Sequence, residues 1–168
     1  IREQGCLYVD KTDIIWQLVN KGKKYNYLSR PRRFGKSVLV DTLESYFLGK
    51  KELFEGLKIM QLETEWVKRP VIRLDMSRAG AEPDTLRSYL DITFDKLEEE
   101  YGITPKPTAK LADRFNAIIV EAYEQTGQQV AILIDEYDSP LQHSWKTPHH
   151  EACTAIYREV FAILKADD

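Results

Sequence analysis

The run Val130-Ala131-Ile132-Leu133-Ile134 constrains this chain more than any other stretch. Its apolar residues are continuous and meet Asp135 at once, so they do not alternate as a half-solvated strand must. Such a run suits a strand buried on both faces of a parallel sheet. Parallel strands need long crossovers, which are usually helical. Helical spacing marks 12–21, 37–48, 84–101, 108–126 and 149–165, with Gly22, Gly49, Gly102 and Gly127 standing where helices stop. A short helix or turn fits the polar stretch holding Leu53, Phe54, Leu57 and Ile59. Pro70–Asp75 and Tyr25-Asn26-Tyr27-Leu28 read as further strands. Strands separated by helices predict a layered α/β fold.

The chain has 168 residues, 43% hydrophobic and 30% charged, which fits one globular domain over 1–168 able to bury a sizeable core. A formal net charge of −3 gives no global pull toward nucleic acid, so any such contact must be local. No stretch reaches the roughly 18–20 apolar residues of a membrane helix. Cys6 and Cys153 are too few for a disulfide framework and lack metal-ligand spacing, which fits reduced thiols and a cytoplasmic setting. Ile1 is not an initiator Met and no signal-type apolar segment follows it, so the chain is expected to be a fragment of a longer product.

Chemistry concentrates in Ser29-Arg30-Pro31-Arg32-Arg33-Phe34-Gly35-Lys36-Ser37-Val38, between a short β-type run and a helix. That context is the one a phosphate-binding P-loop requires. Backbone N–H groups at a helix start point at phosphate, and the helix dipole favours the negative charge. Gly35 allows close backbone approach, Lys36 reaches the terminal phosphates, and the Ser37 hydroxyl coordinates Mg²⁺. Arg30 stands where G-x-x-x-x-G-K-[ST] has its first glycine, so the motif alone is weak. Two other readings stay open: a strand-to-helix turn with a surface basic cluster, or Arg30, Arg32 and Arg33 gripping nucleic-acid phosphates.

Ile132-Leu133-Ile134-Asp135-Glu136 adds a second motif. A strand-end acid such as Asp135 holds Mg²⁺, largely through water, and Glu136 can polarise an attacking water as a general base. Alone, the segment also reads as a strand followed by an acidic turn. The two motifs in this order, each on the expected element, point to nucleotide binding.

Three segments together resemble the AAA-ATPase-like family of bacterial and archaeal proteins: Tyr8-Val9-Asp10-Lys11-Thr12, the loop Ser29–Ser37, and Leu133-Ile134-Asp135-Glu136-Tyr137-Asp138-Ser139-Pro140-Leu141. The stretch 46–57 and the strand 70–75 are similar too, so the likeness covers nearly the whole chain. In that family the arginine-rich loop without the first glycine is usual. The resemblance implies a three-layer P-loop NTPase, a parallel sheet flanked by helices. It implies ATP and Mg²⁺ as ligands, with Arg30–Val38 cradling the nucleotide, Ser37 and Asp135 at the metal, and Lys36 and Glu136 catalytic. It also implies a partner domain resembling restriction-type nucleases in longer members, and a further strand lying between the two motif strands. The fold is therefore expected to be truncated after the Asp-Glu strand, with hydrolysis expected only in the intact protein, and homo-oligomers are in keeping with it. Rival expectations are a nucleic-acid-binding or nuclease-associated module using Arg30, Arg32 and Arg33, and a nucleotide switch that does not hydrolyse.

Other residues have plainer readings. Asp10-Lys11-Thr12 fits either a nucleotide-base pocket or a helix N-cap. Asp138 fits a turn, and His143, His149 and His150 read as surface residues without metal-ligand spacing.

Overall fold

The computed structural model describes residues 8–29, 34–104, 106 and 108–165. Its helices are α1 (Thr12–Lys21), α2 (Lys36–Phe47), α3 (Pro83–Tyr101), α4 (Leu111–Thr126), α5 (Ser139–Ser144) and α6 (His150–Phe161); its strands are β1 (Val71–Asp75) and β2 (Ala131–Asp135). Short 3-10 turns occupy Lys51–Phe54, Lys58–Gln61, Met76–Arg78 and Ala162–Lys165. β1 and β2 form a small parallel sheet, joined in sequence through α3 and α4, so the chain is a mixed α/β protein. Two compact units divide it, Ile1–Val71 and Ile72–Asp168.

In the first unit the sequence Asp10-Lys11-Thr12 starts α1. The Asp10 carboxylate accepts from the Thr12 amide at 2.9 Å and the Thr12 hydroxyl at 2.7 Å through one oxygen. Its other oxygen accepts from the Lys58 amide at 2.8 Å, while Thr12 Oγ1 accepts from the Ile59 amide at 3.1 Å. The helix start is thus stitched to a turn far along the chain. α2 buries Leu43 and packs Tyr46 edge-on to Phe47 and Phe54 and tilted against Trp66. α1 stops at Gly22, where a Cβ would lie 2.0 Å from the Leu18 carbonyl oxygen.

Tyr25–Leu28 is not a strand. All of these residues are exposed, Tyr27 by 74%. β-propensity expresses packing against neighbouring strands more than an intrinsic backbone preference, and among the described residues the sheet holds only β1 and β2.

In the second unit β1 alternates, burying Ile72 and Leu74. β2 departs from the expected double burial: Leu133 and Asp135 are buried, whereas Ile132 and Ile134 are only partly covered. α3 and α4 lie together through stacked Phe94 and Phe115 rings, 5.2 Å apart. Arg114 of α4 reaches Glu98 at 2.6 Å, Asp91 at 2.8 Å and Asp95 at 2.6 Å on α3. Gly102 and Gly127 end these helices in the left-handed conformation, as the sequence predicts. α5 falls where the sequence reads as a turn; Pro140 sits in its first turn, where a missing N–H costs nothing. Among the described residues no helix is long and apolar enough to cross a membrane.

Candidate functional site

The nucleotide-motif residues lie on two elements, one in each unit. In the first unit Phe34 is exposed and Gly35 caps α2 with φ 75°, a left-handed conformation that glycine alone adopts without penalty. A Cβ there would meet nothing within 4 Å among the described residues. Lys36, Ser37 and Val38 form the first turn of α2, Ser37 exposed and Lys36 and Val38 half-buried. The turn carries no acidic residue and no side-chain cap. The other α-helices of ten residues or more carry an acid there: Asp13 in α1, Asp84 in α3, Asp113 in α4 and Glu151 in α6. An acid at a helix N-terminus contributes about 0.3–1 kcal/mol, and a cation opposes the dipole. α2 thus carries no acid in its first turn and presents a lysine and a hydroxyl at a helix start, a donor set that fits phosphate. Arg30, Pro31, Arg32 and Arg33 lie outside the described residues.

In the second unit Asp135 ends β2 with its side chain 7% exposed, and its Oδ1 accepts from the Glu136 amide at 3.0 Å. Glu136 has φ 48°, a left-handed conformation uncommon outside glycine. The turn closes as the Ser139 amide donates to the Glu136 carbonyl at 2.9 Å, and the Gln142 side chain donates to Asp138, which gives Asp138 its turn role. Tyr157 of α6 donates its hydroxyl to the Tyr137 carbonyl at 2.8 Å. Burial raises the pKa of both tyrosines, so both hydroxyls stay protonated donors. Tyr157 escaped the sequence reading, because nothing in its spacing ties it to a turn twenty residues earlier. β1 also ends in an acid, Asp75, which accepts from the Ser77 hydroxyl at 2.6 Å and the Ser77 amide at 3.2 Å.

Asp10 and Thr12 are engaged with the 3-10 turn at Lys58, which gives them a structural task. His143 meets the Ser139 carbonyl through Nδ1 at 2.8 Å, and His150 meets Ser144 Oγ through Nδ1 at 3.2 Å. Among the described residues no group of three or more His, Cys, Asp or Glu side chains could hold a metal ion.

The chain is thus a mixed α/β protein with Gly35-Lys36-Ser37 at a helix start and Asp135-Glu136 at a strand end. A sequence profile of the family described as "Predicted AAA-ATPase" matches residues 1–168, and the chain belongs to that AAA-ATPase-like family. An uncharacterized protein from the vnfD 5′ region of Azotobacter chroococcum mcd 1 is 35% identical over 167 residues, covering 96% of this chain. The chain spans 31% of that relative's length. No solved structure matches the chain.

Proposed function

We propose that the chain binds ATP with Mg²⁺ and that the protein carrying it hydrolyses ATP, the reaction being coupled to a further domain. The observation that carries this reading is the first turn of α2: Gly35 left-handed, then Lys36 and Ser37, at a helix start that carries no acid. Amides of that turn and Lys36 hold the β- and γ-phosphates, with Arg30–Phe34 and Val38 completing the cradle. Ser37 and Asp135 are the groups that hold Mg²⁺, which when bound neutralises charge on the phosphate oxygens. Glu136 accepts a proton from the water that attacks the γ-phosphorus. The bond from that phosphorus to the bridging oxygen breaks, and ADP leaves with the electron pair. The three-layer parallel sheet belongs to the same proposal; the partly covered Ile132 and Ile134 support a larger sheet than the two strands among the described residues. Coupling to a further domain is supported by the relative's greater length.

Calorimetric titration with a non-hydrolysable ATP analogue and Mg²⁺ tests the reading. Wild type should bind at micromolar level. Lys36→Ala should weaken binding at least a hundredfold, about 2.7 kcal/mol. Equal affinity in the variant rejects the assignment.

A further inference from the structure

We propose that Tyr157 is a positioning residue, whose hydroxyl on the Tyr137 carbonyl holds the turn that presents Glu136. This rests on the nucleotide reading and names a device at the same site. Glu136 adopts φ 48°, and a non-glycine residue keeps such a conformation only where its surroundings over-determine it. Local bonds contribute: the Glu136 amide donates to Asp135 Oδ1 at 3.0 Å, and the Ser139 amide to the Glu136 carbonyl at 2.9 Å. These belong to β2, the turn and the start of α5. Tyr157 adds a hold from α6, donating at 2.8 Å from a side chain only 4% exposed. The Tyr137 ring lies edge-on to Tyr157 at 5.4 Å and to Phe161 at 5.3 Å, and the hold is the hydroxyl bond, not this ring packing. The backbone around Glu136 is thus fixed at the next residue by an element that packs in the core of the unit. A general base works only when its carboxylate is held within hydrogen-bond reach of its water, and a small misplacement costs a large factor in rate. Releasing the Tyr137 carbonyl lets Glu136 relax toward ordinary φ, which swings its side chain to a new direction.

The test compares wild type, Tyr157→Phe and Phe161→Leu in the full-length gene product. The single-turnover rate of ATP hydrolysis, the affinity for a non-hydrolysable analogue and amide exchange at Glu136 and Ser139 are measured in each. Tyr157→Phe keeps the ring and removes only the hydroxyl. It should slow single turnover about tenfold, leave analogue affinity within about twofold, and speed exchange at Ser139. Phe161→Leu loosens the same ring cluster without touching the hydrogen bond and should retain the wild-type rate. A wild-type rate in Tyr157→Phe, or an equal loss in Phe161→Leu, overturns the proposal. A wild type that neither binds nor hydrolyses overturns the nucleotide reading and the catalytic half of this one. Unchanged exchange in Tyr157→Phe overturns the hold itself.

Discussion

At Asp10 one carboxylate organises two distant pieces of backbone. One oxygen accepts from the Thr12 amide and hydroxyl, the other from the Lys58 amide. Burial alone raises its pKa, but the bonds from the Thr12 and Lys58 amides and the Thr12 hydroxyl, with the Lys58 charge, outweigh burial and hold it below the usual carboxylate value. A carboxylate with a depressed folded pKa adds stability that is complete above its unfolded pKa, about 4, and is lost as pH falls through the lower folded pKa. Asp10→Ala should therefore cost about 1–3 kcal/mol near neutral pH, because amides are left without their acceptor. The cost should shrink as pH falls through the lowered folded pKa, where the wild-type carboxylate itself becomes protonated. Urea unfolding at pH 7 and pH 2.5, with analogue titration on the same variant, checks this. A weaker affinity with an unchanged urea midpoint would restore the base-pocket alternative.

α2 joins two different demands within one element: its first turn faces the proposed phosphates, and its last turns anchor the first unit. Tyr46 donates to the Glu63 carboxylate, and burial first, then that carboxylate, push its pKa up to about 12. A tyrosine raised in this way contributes stability that is complete below its unfolded pKa, about 10, and is lost as pH rises toward 12. Tyr46→Phe should lower stability at pH 8 by about 1 kcal/mol and flatten the alkaline loss between pH 10 and 12. Urea midpoints at pH 8 and pH 11.5 decide it, and an equal alkaline loss in the variant rejects the role given to Tyr46. Elements of this kind were legible wherever one local signal dominates. α3 and α4 end at Gly102 and Gly127 because only a left-handed residue closes those helices cheaply, and β1 and β2 follow from their apolar runs. Tyr25–Leu28 misled because a strand exists only with a partner, which no composition reveals. Gly35-Lys36-Ser37 and Asp135-Glu136 were readable as motifs. The left-handed Glu136 and its hold by Tyr157 were not, since both arise from tertiary packing.

Across the whole molecule, 24 basic residues face 27 acidic ones, and the isoelectric point near 5.7 leaves the chain anionic at neutral pH. A polyanion is therefore repelled at long range, and its attraction must come from a local cluster such as Arg30, Arg32 and Arg33. Three phosphate contacts to single-stranded DNA give a slope of about −2.1 in log affinity against log salt, so raising salt from about 50 to 200 mM weakens such binding about twentyfold. The nucleotide reading makes a different demand, because backbone amides and the dipole of α2 hold phosphate at short range, where screening is weaker. At 200 mM salt the chain should keep its affinity for the ATP analogue with Mg²⁺ within a few-fold of the 50 mM value, and should not retain short single-stranded DNA. Paired titrations of both ligands across that salt range separate the readings. DNA binding at about 50 mM salt that falls steeply as salt rises and survives Asp135→Asn and Glu136→Gln would transfer the arginines to nucleic-acid binding, whereas no DNA binding at about 50 mM salt with analogue binding intact leaves them to the nucleotide.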